Sequence, residues 1–259
     1  MRHLDVIIIL LLTAAAVCPG QDTSAVEAPA VHIHYLGHAS FFLRFGNDIS
    51  VLTDYGQSRS YGLDSPICDL SGVTPDVVTI SHSHADHQRP GMDFGEALIL
   101  TGTDSLNLKG LRIRPIPTSE ASLSETDNTS YLFIYKGLKI LHLADAQAII
   151  TAIDADSVKQ LAGTLYPDTY DLLLLTIQGV TEFIPQAETF LDLLHPRCTI
   201  PMHYWSPAYK AGFLDHLESQ NRNAGRHYHI EKTGSADFIL TSGKHTDTIR
   251  VISMEPAAL

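Results

Sequence analysis

The sequence predicts an α/β fold, an αββα sandwich of two mixed β-sheets with outer helices. Three observations carry that expectation. Short β-type runs follow one another along the chain, separated by Gly, Pro, Asn and Asp turn signals. Some of these runs, such as Val77–Ile80 and 171–176, are nearly all apolar and read as buried strands. Two later segments, 185–194 and 208–220, read instead as helices. Strands interleaved with helices imply two packed sheets with helices outside them.

The elements follow in chain order. Residues 1–20 open with Met1, Arg2 and His3, continue through an apolar run over 6–12 and end in small residues. That layout predicts a secretory signal peptide, too short to span a membrane, with cleavage after Gly20. Lipid attachment at Cys18 is the alternative, but Ala15, Ala16 and Val17 make a poor lipobox and Pro19 is awkward there. The expectation is removal of 1–20 and export to the periplasm or the exterior, leaving 21–259 as a single domain. Strands over 31–35, 40–45 and 49–53 form a meander, with Gly46, Asn47 and Asp48 as a hairpin turn. Strands follow at 77–80, 97–100 and 111–116, and 130–135 pairs with 138–143 across Lys136 and Gly137. After strand 171–176 comes helix 185–194, with Pro185 in its first turn. Strand 197–200, helix 208–220 and strands near 227–230, 237–240 and 248–252 complete the chain.

The sequence has 259 residues, a formal net charge of -12 and 44% hydrophobic residues. After removal of the leader, about 240 residues suffice for one large domain. So acidic a surface argues against nucleic acid or an anionic membrane as partner, unless Cys18 carries a lipid, and leaves a small-molecule substrate. Cys68 and Cys198 could pair in an oxidising compartment or stay as two thiols. The apolar run around Cys198 favours unpaired.

His82-Ser83-His84-Ala85-Asp86-His87 places three imidazoles and one carboxylate within six residues, directly after the strand 77–80. His82 and His84, two apart, would share a side in extended geometry. Imidazole and carboxylate donors suit Zn, Mn or Fe rather than Cu(I). The chain has 14 His, so a His-rich polar loop is the bland alternative. Asp145 and His203 also stand where apolar strands end, and beside this motif His203 becomes a candidate ligand. His142 reads as a strand residue. Asp54, closing another strand, could accept a hydrogen bond from the far nitrogen of a ligating His, or be a turn residue.

In this order the motifs resemble the metallo-β-lactamase superfamily. The resemblance is closest to its metal-dependent hydrolase branch, which includes L-ascorbate-6-phosphate lactonase-like proteins. Gly37-His38-Ala39-Ser40, Leu52-Thr53-Asp54, the segment from Gly137 to Asp145 and Ile200-Pro201-Met202-His203-Tyr204 are similar to that branch's motifs, over roughly residues 31–205. The resemblance implies two divalent metal ions, Zn or Mn with Fe possible. It implies that His82 and His84 hold the first ion, that Asp86, His87 and His203 hold the second, and that Asp145 bridges them. A water or hydroxide between the ions would be the nucleophile on an ester, lactone or phosphoester. Asp86 would orient it or carry a proton to the leaving group.

One departure stands out. Where the family places a third His, this chain has Glu120 after Ile116-Pro117-Thr118-Ser119. Glu120 either ligates, making the first site harder and favouring Mn or Fe, or is a solvated loop residue. Ala144 replaces a Gly beside Asp145. The expected function is an exported metal-dependent hydrolase. The alternative is a non-catalytic metal- or ligand-binding descendant with a degraded first site. The motifs differ from those of true β-lactamases, and His84 stands where flavodiiron proteins place a Glu.

Overall fold

A computed structural model describes residues 29–70, 72–120, 126–146, 163–178, 184–225 and 227–258. The expected leader and Cys18 lie outside the described residues. One sheet contains β1 (Ala30–Gly37), β2 (Ser40–Phe45), β3 (Ile49–Thr53), β4 (Val77–Ile80), β5 (Leu98–Thr101) and β13 (Asp237–Thr241). Their order is β13-β1-β2-β3-β4-β5. The second sheet contains β6 (Leu106–Leu108), β7 (Leu111–Thr118), β8 (Asn128–Tyr135), β9 (Leu138–His142), β10 (Leu172–Thr176), β11 (Cys198–Met202), β12 (Tyr228–Lys232) and β14 (Ile249–Ser253). Its order is β12-β14-β11-β10-β9-β8-β7-β6. Both sheets are mixed. β3-β4-β5 run parallel in the first, and β9-β10-β11-β14-β12 run parallel in the second.

Side-chain alternation builds the core between the sheets. Val31, Ile33 and Tyr35 of β1 and Phe41, Leu43 and Phe45 of β2 all point into one buried cluster with Tyr131, Phe133 and Ile140 of the second sheet. Each such side chain contributes about 1.5–3 kcal/mol when fully buried. β10 reads Leu-Leu-Leu-Leu-Thr and is buried along its whole length. A parallel strand covered on both faces requires that pattern. Helices α1 (Ile184–Leu194) and α2 (Pro207–Asn223) join the same cluster through Phe190, Leu191, Phe213 and Leu217. Pro207 opens α2 at its first turn, where its missing N–H costs nothing. The other face of the first sheet, with Leu52, Val78 and Ile80, is covered by loop residues Tyr55, Ile67, Leu70 and Phe94.

The layered sandwich matches the expected fold class, with element ends shifted by a few residues. β6 was not expected. It is a three-residue edge strand joined to β7 by a tight turn, Lys109-Gly110, in which both residues have positive φ. β11 runs on to Met202, because parallel pairing with β10 continues from Cys198 through Met202 despite Pro201. Cys68 and Cys198 are free thiols. Cys198 is buried in β11, and the Cys68 S–H donates to the Ala258 carbonyl at 3.0 Å. Among the described residues no helix is long and apolar enough to cross a membrane.

Candidate metal centre

Parallel strands deliver their following residues to one edge, and that edge is where open α/β sheets bind ligands. Here β3 leads to Asp54, β4 to the His82–His87 segment, β9 to Asp145, β10 to Gln178 and β11 to His203. β7 leads to Glu120, and the turn between β1 and β2 adds His38. The site therefore lies on the seam between the two sheets.

The second half of the motif converges with His203. The Nε2 atoms of His87 and His203 are 2.9 Å apart. Asp145 Oδ1 lies 3.0 Å from His203 Nε2 and 3.5 Å from His87 Nε2. Asp86 Oδ2 lies 3.5 Å from His203 Nε2 and 3.7 Å from His87 Nε2. All four residues are buried. The first half forms a shallower group. His82 Nε2 stands 3.9 Å from Asp145 Oδ2, and His84 Nδ1 stands 3.4 Å from Glu120 Oε2. The rings of His82 and His84 are 4.6 Å apart, on one side of the chain as their spacing predicts. The seven residues expected at the site are thus brought together, with Asp145 between the two halves. Glu120 is half-buried beside His84.

A hydrogen-bond chain sets the His tautomers. Asp54 Oδ1 accepts the Ser81 backbone N–H, and Asp54 Oδ2 accepts the Ser81 hydroxyl, both at 2.8 Å. The same Oδ2 accepts His87 Nδ1–H at 2.9 Å. Ser81 Oγ, having donated to Asp54, accepts His82 Nδ1–H at 2.9 Å. Both imidazoles therefore carry the proton on Nδ1 and present Nε2 to the seam. Asp54 plays the orienting part open to it from the sequence. His142 donates Nε2–H to the Ala39 carbonyl at 2.9 Å, a strand residue as expected.

Charge follows from this packing. Burial works against a charged His203, but Asp145 and Asp86 outweigh it and hold His203 up at about 9. Burial likewise opposes charge on His87, and Asp145 and Asp54 raise it well above the usual imidazole value. Asp145 and Asp86, despite burial, are held well below the carboxylate range by the imidazoles around them. His82, desolvated and facing His87, is pushed down to about 4. Burial and the nearby Asp145 carboxylate raise Glu120.

Sequence reasoning missed several contributors. His38 Nε2–H donates to Asp86 Oδ2 at 3.0 Å, and its carbonyl accepts the His203 backbone N–H at 2.9 Å. One residue thus braces two members of the deeper group. The available signal was a Gly-His pair between two strands. Ser81 sat beside the motif but has an ordinary polar side chain. Tyr61 and Trp205 line the ≈ 490 Å³ pocket above the centre, together with Leu63 and Gln178, and no local pattern marks them. Gly56 makes room for the motif, since a Cβ there would stand 2.0 Å from the Asp86 carbonyl carbon.

The donor set fits a metal. His82 Nε2 and Asp86 Oδ1 are buried polar atoms with no hydrogen-bond partner, and Asp145 Oδ1, though 3.0 Å from His203 Nε2, makes no well-aligned hydrogen bond. Each such atom costs about 1–3 kcal/mol unless something satisfies it. A cation between imidazole nitrogens and carboxylate oxygens would satisfy all three.

Comparison with known proteins agrees. Residues 32–203 match the family model described as Beta-lactamase superfamily domain. The chain is 24% identical over 207 residues to a UPF0173 metal-dependent hydrolase of Thermococcus onnurineus, covering 68% of this chain and 87% of that protein. It superposes on a Thermotoga maritima protein assigned as a Zn-dependent hydrolase of the metallo-β-lactamase superfamily. The TM-score is 0.55 at 21% identity, covering 87% of this chain and 100% of the other. Igni18, a metallo hydrolase of Ignicoccus hospitalis, gives a TM-score of 0.52 at 21% identity, with 88% and 96% covered. The chain therefore belongs to the metallo-β-lactamase superfamily, in its metal-dependent hydrolase branch.

Proposed function

We propose that this protein is an exported hydrolase that uses two divalent ions to cleave an ester, lactone or phosphoester bond. The observation that carries the reading is the convergence of Asp86, His87 and His203, with Asp145 reaching His87 and His203 on one side and His82 on the other, and with His82, His84 and Glu120 alongside. In this reading Asp86, His87 and His203 hold one ion, His82, His84 and Glu120 hold the other, and Asp145 is shared. Zinc, manganese and iron all suit these donors. When bound, the ions supply an activated water and polarise the bond under attack.

The chain's own residues do the remaining work. Asp54 and Ser81 fix two imidazoles in the ligating tautomer. His38 holds Asp86 through Oδ2, which leaves Oδ1 without a partner. In this reading Asp86 would hold its ion and, through whichever oxygen the ion leaves free, orient the water or carry a proton to the leaving oxygen. Trp205, Leu63 and Tyr61 line the mouth of the pocket.

Elemental analysis of the purified protein tests the reading, with about two ions per chain expected. His84→Ala and His87→Ala should each lower bound metal, and unchanged content in both variants would refute the assignment. A screen of ester, lactone and phosphodiester substrates with added Zn or Mn tests turnover. Export is part of the same proposal, supported by the apolar segment before Gly20. Mass spectrometry of the natural protein should find a mature N-terminus near Gln21. Retained Met1 would count against export, and a lipid on Cys18 would favour the lipoprotein alternative.

A further inference from the structure

We propose that Gln178 is a substrate-binding residue of this site, its carboxamide donating a hydrogen bond to the substrate oxygen that gains charge during hydrolysis. This rests on the hydrolase reading above and adds to it a residue outside the set of ion-holding side chains.

The first support is position. β10 lies between β9 and β11 in the second sheet, and those two strands lead to Asp145 and His203. The end of β10 is tied to both neighbours. The Thr176 hydroxyl donates to the Ala144 carbonyl, and the Ile177 N–H donates to the Met202 carbonyl at 3.1 Å. Gln178 follows directly and lines the pocket together with Asp145 and His203. It uses the same backbone device as they do. φ is 46 at Gln178, 50 at Ala144 just before Asp145, and 53 at His203. Asn, Asp and His enter the left-handed region several-fold more readily than other side chains, an advantage Gln lacks. An unfavourable conformation held at a braced strand end points to a side chain kept for function.

The second support is the side chain itself. Gln178 is 8% exposed, and its amide makes no hydrogen bond to any described residue. A carboxamide brings two N–H donors and one carbonyl acceptor. Leaving such a group buried and unpaired is unfavourable, so an amide on the wall of a pocket with no protein partner is set to meet a ligand.

The third support is what the rest of the lining can offer. On the hydrolase reading, the imidazoles and carboxylates are engaged by the ions. The side-chain donors left to a substrate are the Tyr61 hydroxyl, the Trp205 indole N–H and the Gln178 amide. Tyr61 is 68% exposed, and Trp205 is half-buried. Gln178 is the buried donor. A fixed neutral donor counts most where negative charge develops, and carbonyl and phosphoryl oxygens both gain charge as water attacks. The amide keeps its protons throughout.

Gln178→Met tests the assignment, because it keeps the length of the side chain and removes the donors. Calorimetry on the metal-loaded protein would measure binding of inorganic phosphate and of acetate, two probes with acceptor oxygens. The variant should bind each roughly tenfold more weakly, the loss of one hydrogen bond to a charged acceptor. On any ester, lactone or phosphodiester that the wild type turns over, kcat/KM should fall roughly 10–100-fold, mostly in kcat, because the bond strengthens in the transition state. Metal affinity against a chelator and the melting temperature should both stay at the wild-type value, whereas loss of a purely structural residue would move them. Wild-type anion affinity or wild-type kcat/KM in Gln178→Met would overturn this inference and leave the hydrolase reading standing. So would weaker probe binding accompanied by lost metal or a lowered melting temperature. A wild type that holds its ions yet binds neither anion and turns over none of these substrates would overturn both.

Discussion

Protonation governs the centre at the scale of single residues. His87 and His203 face each other through Nε2 at 2.9 Å, a contact that two bare lone pairs would not tolerate. One shared proton relieves it, and the carboxylates around the pair hold both imidazoles above their ordinary value, His203 at about 9, although His87 itself opposes charge on His203. A folded value above the unfolded value of about 6.5 stabilises the apo protein fully below that pH. The contribution is lost as pH rises through about 9. A dication needs both imidazoles neutral, so loading at pH 7 must expel protons. Calorimetric titration of the apo protein with Zn or Mn, in buffers of different ionisation heat, should read at least about one proton released per chain. Heats independent of the buffer would show the imidazoles were already neutral. His38 is the second prediction at this scale. Truncation to Ala removes the donor to Asp86, and loss of such an outer partner typically costs roughly 10–100-fold in metal affinity. Competition with a chelator should show His38→Ala weakening one ion far more than the other, and His38→Gln recovering part of the loss. Equal affinity in wild type and His38→Ala would remove His38 from the supporting shell.

Strand ends carry the chemistry at the scale of elements, and their backbones are strained. His38, Asp54, Ala144, Gln178 and His203 all have positive φ, between 39 and 54. Such conformations cost of order 1–3 kcal/mol each and persist where the surroundings over-determine them. They let a strand that points its last side chain into the core turn the next one to the seam. Ala144 has no polar side chain to compensate. Ala144→Gly should therefore raise unfolding stability by up to about 1 kcal/mol, the left-handed penalty less the added entropy of the unfolded chain. Urea melts would read it, and a loss of stability would show that the Ala methyl packs usefully against its neighbours. Gly56 makes the opposite case. Its Cβ would stand 2.0 Å from both the carbonyl carbon and oxygen of Asp86. Gly56→Ala should cost about 1–3 kcal/mol by overpacking and displace the Asp86–His87 turn. Wild-type stability with wild-type metal affinity would contradict that.

For the whole molecule, the centre exists only when the two sheets are docked. His38, Asp54 and the His82–His87 segment come from one sheet, and Glu120, Asp145, Gln178 and His203 from the other. Metal binding is therefore linked to the native state as a whole. A ligand present at 100 times its dissociation constant adds about 2.7 kcal/mol to stability. Stripping the ions with a chelator should lower the melting temperature in one cooperative transition, and readdition of Zn or Mn should restore it. A melting temperature unmoved by chelator, with metal shown to be removed, would mean the centre does not couple the sheets.

The sequence by itself determined the alternation of strands and helices, because buried strands and tight turns leave local marks. The Lys136-Gly137 hairpin and the continuous leucines of β10 are examples. It also determined the core of the metal motif, since three imidazoles and a carboxylate in six residues are legible without a fold. The distant members Asp145 and His203 were legible because each directly follows an apolar strand. Only the tertiary structure decided which nitrogen each imidazole presents, because Ser81 and Asp54 set the tautomers through contacts 27 and 33 positions apart in the chain. It alone assigned His38, whose partner Asp86 lies 48 positions away. It also placed Glu120 beside His84, a pairing that depends on how β7 of one sheet meets β4 of the other. Periodicity records what a residue does within its own element, while the seam between two sheets is made by packing that no local pattern encodes.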